Sequence, residues 1–163
     1  MSIVPNDLRD ALRRAGWFEG RRVTVHTSVS VDHPAYAVLA ELGDLIFPNP
    51  SPSVTSIAFR YDKDAKEWMA AWEAALAMDL VSIAEQDDGH AALYLTDRGH
   101  MIGCSLVHPA CFLVGQTFGK ALQAIWSGER ARPMLLPDEE EVILYGNRFR
   151  RGDPVVIGPD AFV

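Results

Sequence analysis

The feature that most constrains this chain is a pair of short apolar runs, residues 91–96 (AALYLT) and 101–106 (MIGCSL), separated around Asp97, Arg98 and Gly99. Gly99 can take positive φ, and that freedom permits a tight reversal between two strands. The two runs therefore read as a hairpin. Similar signals flank them. Residues 81–84 (VSIA) are strand-like, residues 86–89 form the turn into the hairpin, and residues 112–114 make another short strand.

Helical patterns bracket these strands. Asn6 can cap a first helix whose apolar stripe is Leu8, Ala11, Leu12 and Ala15, with Arg9 and Arg13 on the solvent side and Gly16 as its stop. Asp32 and Pro34 start a second helix, with Ala35, Val38, Leu39 and Leu42 inward and Gly43 ending it. A third is predicted over residues 64–80 on the stripe Trp68, Trp72, Ala75 and Leu76. A fourth covers residues 118–126, with Phe118, Leu122, Ile125 and Trp126 on one side and Ser127-Gly128 closing it. Residues 23–31, 45–47 and 56–60 read as further strands, and the proline-rich residues 48–53 as a loop.

In the tail, residues 142–145 and 155–157 are expected to pair as a hairpin around residues 146–153. The order helix, strand, helix, short strands, helix, strands is α+β, not the alternation of a doubly wound fold. The expected core is Leu12, Trp17, Leu39, Leu42, Phe59, Trp72, Leu93, Leu95, Phe118 and Leu122. Trp17 follows the first helix stop directly, where an aromatic often makes the contact that accompanies the cap. Phe18 shares that role or stays at the surface, and the arginine pairs around them need only solvent.

Charge narrows the function. Residues 23–129 hold five bases against thirteen acids, a net −8, whereas residues 1–22 hold five arginines against three acids. Phosphates would repel such a middle, so nucleic acid is a poor partner and a basic protein a good one. No apolar run approaches the roughly 20 residues a membrane helix needs, and no secretory signal is visible. Two cysteines make no disulfide framework, so a cytoplasmic chain with reduced thiols is expected.

Tests for chemistry return little. No glycine-rich loop between strand and helix suits a phosphate, and no Gly-x-Ser-x-Gly elbow is present. A zinc deaminase pattern fails, because His90 is followed by Ala91 and Ala92, and Cys111 is preceded by Ala110. His100, Cys104, His108 and Cys111 are all metal-ligand types within twelve residues. On one extended strand, positions 100, 104 and 108 share a face but lie roughly 13 Å apart, too far for one ion unless the chain bends at Gly103 or Pro109. No metal and no cofactor is expected.

Several of these signals occur in a set order. Ala15-Gly16-Trp17 is followed by Gly20-Arg21-Arg22, then residues 39–45 (LAELGDL), Phe59-Arg60-Tyr61-Asp62, the turn Asp87-Asp88-Gly89, residues 92–99 (ALYLTDRG) and residues 113–122 (LVGQTFGKAL). The set resembles the SUKH superfamily, and within it the third clade of bacterial immunity proteins, over about residues 8–128. The resemblance implies an α+β fold with a central mixed or mainly antiparallel sheet flanked by helices. It implies a non-enzymatic protein that binds a polymorphic toxin domain of nuclease or deaminase type. Residues 1–130 would be the SUKH-like immunity domain. Residues 131–163 would be a C-terminal extension, a β-hairpin packed on the same domain and the place where a homodimer could form.

The candidate toxin contacts are Asp62, Asp64, Glu67, Asp87, Asp88 and Asp97, acids at turns and helix starts. Two other readings stay open: a small metal-dependent enzyme using the cluster from His100 to Cys111, and a regulatory or scaffold interaction module.

Overall fold

A computed structural model describes residues 2–162. A 3-10 turn, Asn6–Leu8, leads into α1, Arg9–Arg14, and α2 is Pro34–Leu42. Seven strands then lie side by side in chain order, each antiparallel to its neighbours: β1 Ile46–Ser51, β2 Val54–Phe59, β3 Leu80–Gln86, β4 Ala91–Thr96, β5 Met101–Ser105, β6 Ala110–Gly115 and β7 Arg132–Met134. A 3-10 turn, Asp64–Met69, and α3, Ala70–Leu76, connect β2 to β3. α4, Phe118–Ser127, connects β6 to β7. β8, Glu141–Leu144, and β9, Asn147–Arg150, form a separate hairpin, and a 3-10 turn, Pro159–Phe162, ends the described chain. The fold is α+β, with a seven-stranded antiparallel sheet, a two-stranded antiparallel sheet and four α-helices among the described residues.

Both faces of the sheet carry apolar clusters, and β4 shows why. Leu93 and Leu95 point into a cluster with Leu12, Leu39, Leu42, Phe118 and Leu122 from α1, α2 and α4. Ala92 and Tyr94 point the other way, to Met69, Trp72 and Leu76. Every residue of β4 is therefore buried, which explains an apolar run without alternation. All ten expected core residues are buried, but they divide between two clusters: Trp72 lies in the second, the rest in the first.

The close of α1 is built around Trp17. Gly16 sits at φ +99°, its N–H donates to Arg13 O, and Trp17 N–H reaches back to Leu12 O at 3.1 Å. This is the paired bonding of a Schellman close, with buried Leu12 and Trp17 as its apolar contact. Phe18, 60% exposed, stays at the surface.

Four expectations fail for identifiable reasons. Residues 23–31 form no strand: Val23 N–H donates to Ala40 O of α2, and Val29 N–H to His26 O, so their backbone bonds go to α2 and to a turn. Residues 48–51 are not loop but the end of β1, an outermost strand, where prolines that lack a donor are tolerated. The third helix stops at Leu76, with Ala77 left-handed, and begins as 3-10 winding. The 3.6-residue spacing therefore does not run through it, and Met69 takes the inward place beside Trp72 that Trp68 was expected to fill.

In the tail, β8 pairs with β9 and not with residues 155–157. Tyr145 and Gly146 both take positive φ, the two-residue turn that a tight hairpin favours. Ile157 instead bridges Met134 in parallel. Val142 and Leu144 pack with Ala91, Ala110, Phe112 and Leu135, so the hairpin rests on the sheet.

Candidate functional site

The second face of the sheet is only partly roofed. The 3-10 turn Asp64–Met69 crosses it and is tied down where Tyr94 OH donates to Ala65 O at 3.1 Å. Asp62 joins this anchor through its backbone: Asp62 N–H donates to Ser82 Oγ, and the same hydroxyl donates to Asp62 O, both at 2.9 Å. Asp62 Oδ1 then accepts from Asp64 N–H at 2.9 Å. These bonds fix the backbone of the two exposed acids.

Between this turn and the sheet lies a cavity of about 180 Å³, floored by Ser82, Ala84, Ala92 and Tyr94 and walled by Trp68 and Leu106. Small side chains on β3 and β4 open it. Asp62 and Asp64 stand on its rim, as do Arg60 and Glu85, which pair with each other at 2.5 Å. Trp68 is 67% exposed, and Leu106 and Val107 are exposed nearby in sequence. Glu67, also exposed, is the residue before Trp68. The arrangement is an aromatic side chain beside an apolar recess with carboxylates around it.

The six predicted acids do not form one patch. Asp62, Asp64 and Glu67 share the turn just described. Asp87 and Asp88 sit in the β3–β4 turn and Asp97 in the β4–β5 turn. These turns lie at opposite ends of β4, roughly 20 Å apart for six strand residues. Asp87 and Asp88 also have structural work. Asp87 Oδ1 accepts from Thr55 N–H at 2.7 Å and Thr55 Oγ1 at 3.1 Å, and Asp88 Oδ1 accepts from Ser56 Oγ at 3.0 Å. Both take positive φ, where an aspartate is better tolerated than most residues.

The cysteine and histidine cluster is also divided. His100 stacks edge-on against Phe162 at 5.1 Å, and His108 is exposed in the β5–β6 turn. Cys104 and Cys111 are cross-strand partners with their sulfurs 2.7 Å apart. Among the described residues, no three His, Cys, Asp or Glu side chains are placed to hold a metal ion. No helix among the described residues is long and apolar enough to cross a membrane.

Two features were missed. Glu41, 2% exposed, accepts from Trp17 Nε1 at 3.0 Å, from Ser2 Oγ at 2.5 Å and from Ile3 N–H at 3.3 Å. Arg21 needs more than solvent: its guanidinium donates to Glu41 O and Gly43 O, both at 2.8 Å, closing the carbonyl end of α2. The pairing of a glutamate on an apolar helix with arginines just upstream was the available signal.

The fold and this surface define a small α+β protein built on one antiparallel sheet, with its most exposed tryptophan beside an acid-rimmed recess. A family model described as SUKH-3 immunity protein matches residues 4–128, and the chain belongs to that family. Toxin immunity is the function this membership carries, and such families are in general not enzymatic. No curated protein and no solved structure matches the chain.

Proposed function

We propose that this chain neutralises, in the cytoplasm and without catalysis, a toxin domain of nuclease or deaminase type by one-to-one contact, and that Trp68 and the acids around it make the contact. The observation that carries this reading is Trp68 itself. A tryptophan that is 67% exposed beside an apolar recess is poorly placed for a free surface and well placed as an anchor. The charge supports the same partner. Asp62 and Asp64 stand on the rim of the apolar recess and Glu67 adjoins Trp68 in sequence, and toxins that act on nucleic acid present basic surfaces to phosphates. Asp97 stands apart from this site, and Asp87 and Asp88 are already engaged by Thr55 and Ser56, so these three acids make a lesser contribution.

The test is co-expression with the toxin domain encoded beside this chain. The wild type should protect cells and form a one-to-one complex by light scattering. Trp68→Ala should weaken the complex by roughly tenfold or more, the range of an anchor residue, with the fold unchanged by circular dichroism. Reversing Asp62, Asp64 and Glu67 to lysine should slow association and flatten or invert its dependence on salt. A wild type that fails to protect against its neighbour would sink the immunity reading. Protection with undiminished affinity after both sets of changes would move the contact elsewhere.

A further inference from the structure

The cysteine pair has no part in that contact, and its geometry is specific. Cys104 on β5 lies directly opposite Cys111 on β6. Opposed residues of an antiparallel pair have Cα atoms about 4.5–5.5 Å apart, inside the roughly 4.4–6.8 Å that a disulfide spans. The two sulfurs face each other 2.7 Å apart, and Cys111 donates to Cys104. A cavity of about 270 Å³, lined by both cysteines and by Trp68, Trp72 and Glu139, reaches them from the surface.

We propose that Cys104 and Cys111 are a reversible dithiol–disulfide pair, oxidised by small hydroperoxides. The roles follow from exposure. Cys104 is half-buried and Cys111 buried. The hydrogen bond from Cys111 lowers the Cys104 pKa against the effect of burial, while that bond and burial together push the Cys111 thiol up. Cys104 is thus the attacking thiolate and Cys111 the resolving thiol. In the first step the Cys104 sulfur attacks one peroxide oxygen, the O–O bond breaks, and the released hydroxide takes up a proton to leave as water, with Cys104 as sulfenic acid. In the second step the Cys111 sulfur attacks the Cys104 sulfur, the S–O bond breaks, and a second water carries away the thiol proton. Two thiols have lost two electrons and hydrogen peroxide has gained them. A thiol reductant reverses the change by exchange. The loop closed by the bond, residues 104–111, carries Leu106, a wall of the recess beside Trp68.

The full chain, treated with a small excess of hydrogen peroxide and then with dithiothreitol, tests this by intact mass and thiol titration. The expected result is loss of two hydrogen atoms and both thiols, with the two sides of a chymotryptic cut after Leu106 still linked, and full recovery on reduction. Cys104→Ser and Cys111→Ser should each abolish the loss, and Cys111→Ser should instead leave a sulfenic acid on Cys104 that a dimedone probe traps. The wild-type measurement stands even if either variant folds poorly. Two free thiols after treatment, or oxygen added to wild-type Cys104 without a linked peptide, would overturn the proposal.

Discussion

The indole of Trp17 donates to the carboxylate of Glu41 across 3.0 Å, joining the close of α1 to the last turn of α2 in a place where both residues are almost fully buried. A carboxylate in such a place is tolerated only when its oxygens are occupied, and here Ser2 and the Ile3 N–H complete the set. Glu41→Ala should therefore lower stability by about 1–3 kcal/mol for the stranded donors alone. Urea denaturation checks this, and an unchanged midpoint would show that the bond contributes nothing to holding the two helices.

Two tryptophans four residues apart should behave oppositely. Trp72, 6% exposed, packs in the second core, and its replacement by alanine should cost roughly 3–5 kcal/mol. Trp68→Ala should change stability by no more than about 0.5 kcal/mol, as for a surface site. Thermal melts of the two variants decide it, and a large loss for Trp68 would mean that the residue supports the fold.

Gly103 lies under the ring of Phe112, its partner across β5 and β6. A Cβ there would run into the Phe112 ring. Gly103→Ala should cost roughly 1–3 kcal/mol by overpacking, and Phe112→Leu in the same chain should return part of it. Additive losses in that double variant would contradict the contact.

The Asp87 carboxylate holds the β3–β4 turn to β2 through both polar groups of Thr55. Asp87→Ala should cost about 1 kcal/mol per net hydrogen bond lost, and amide exchange should rise at Thr55. Unchanged exchange there would remove the turn from the account.

His100 sets a pH dependence. Burial, and after it the charge of Arg98, hold its pKa below the ordinary 6.5, with Asp97 opposing them. A folded-state pKa below the unfolded one means that its contribution is complete above pH 6.5 and fades as pH falls through the lower folded value. Protonation acts where His100 meets Phe162, whose carbonyl also accepts from Arg98 at 3.0 Å. Between pH 7 and pH 5 the melting temperature should fall, and His100→Gln should flatten that slope. An equal slope in the variant would exclude this histidine.

The hairpin 91–96/101–106 was legible because Gly99 and two apolar runs specify it locally, and the helix stops were legible at Gly16, Gly43 and Gly128. The α+β class followed from the order of elements, nine of the core residues from helix stripes and strand faces, and Trp17 from its place just after a helix stop. What sequence did not show depends on distant partners. Residues 23–31 carry strand residues but find α2 in place of a strand, and Pro48 and Pro50 are tolerated only because β1 has a neighbour on one side. Trp68 looked like core because its spacing to Trp72 is helical, and only the 3-10 winding turns it outward. The six acids looked alike in sequence, and the hydrogen bonds of Asp87 and Asp88 to β2 are what separate them from Asp62 and Asp64.

The two outermost strands of the sheet share a property: β1 contains Pro48 and Pro50, and the three residues of β7 include Pro133. Each proline lacks a backbone donor, and β7 is short and already met on its outer side by Ile157. Prolines in both outermost strands make the seven-stranded sheet a poor template for a further strand, so contacts made through that sheet fall to its side chains.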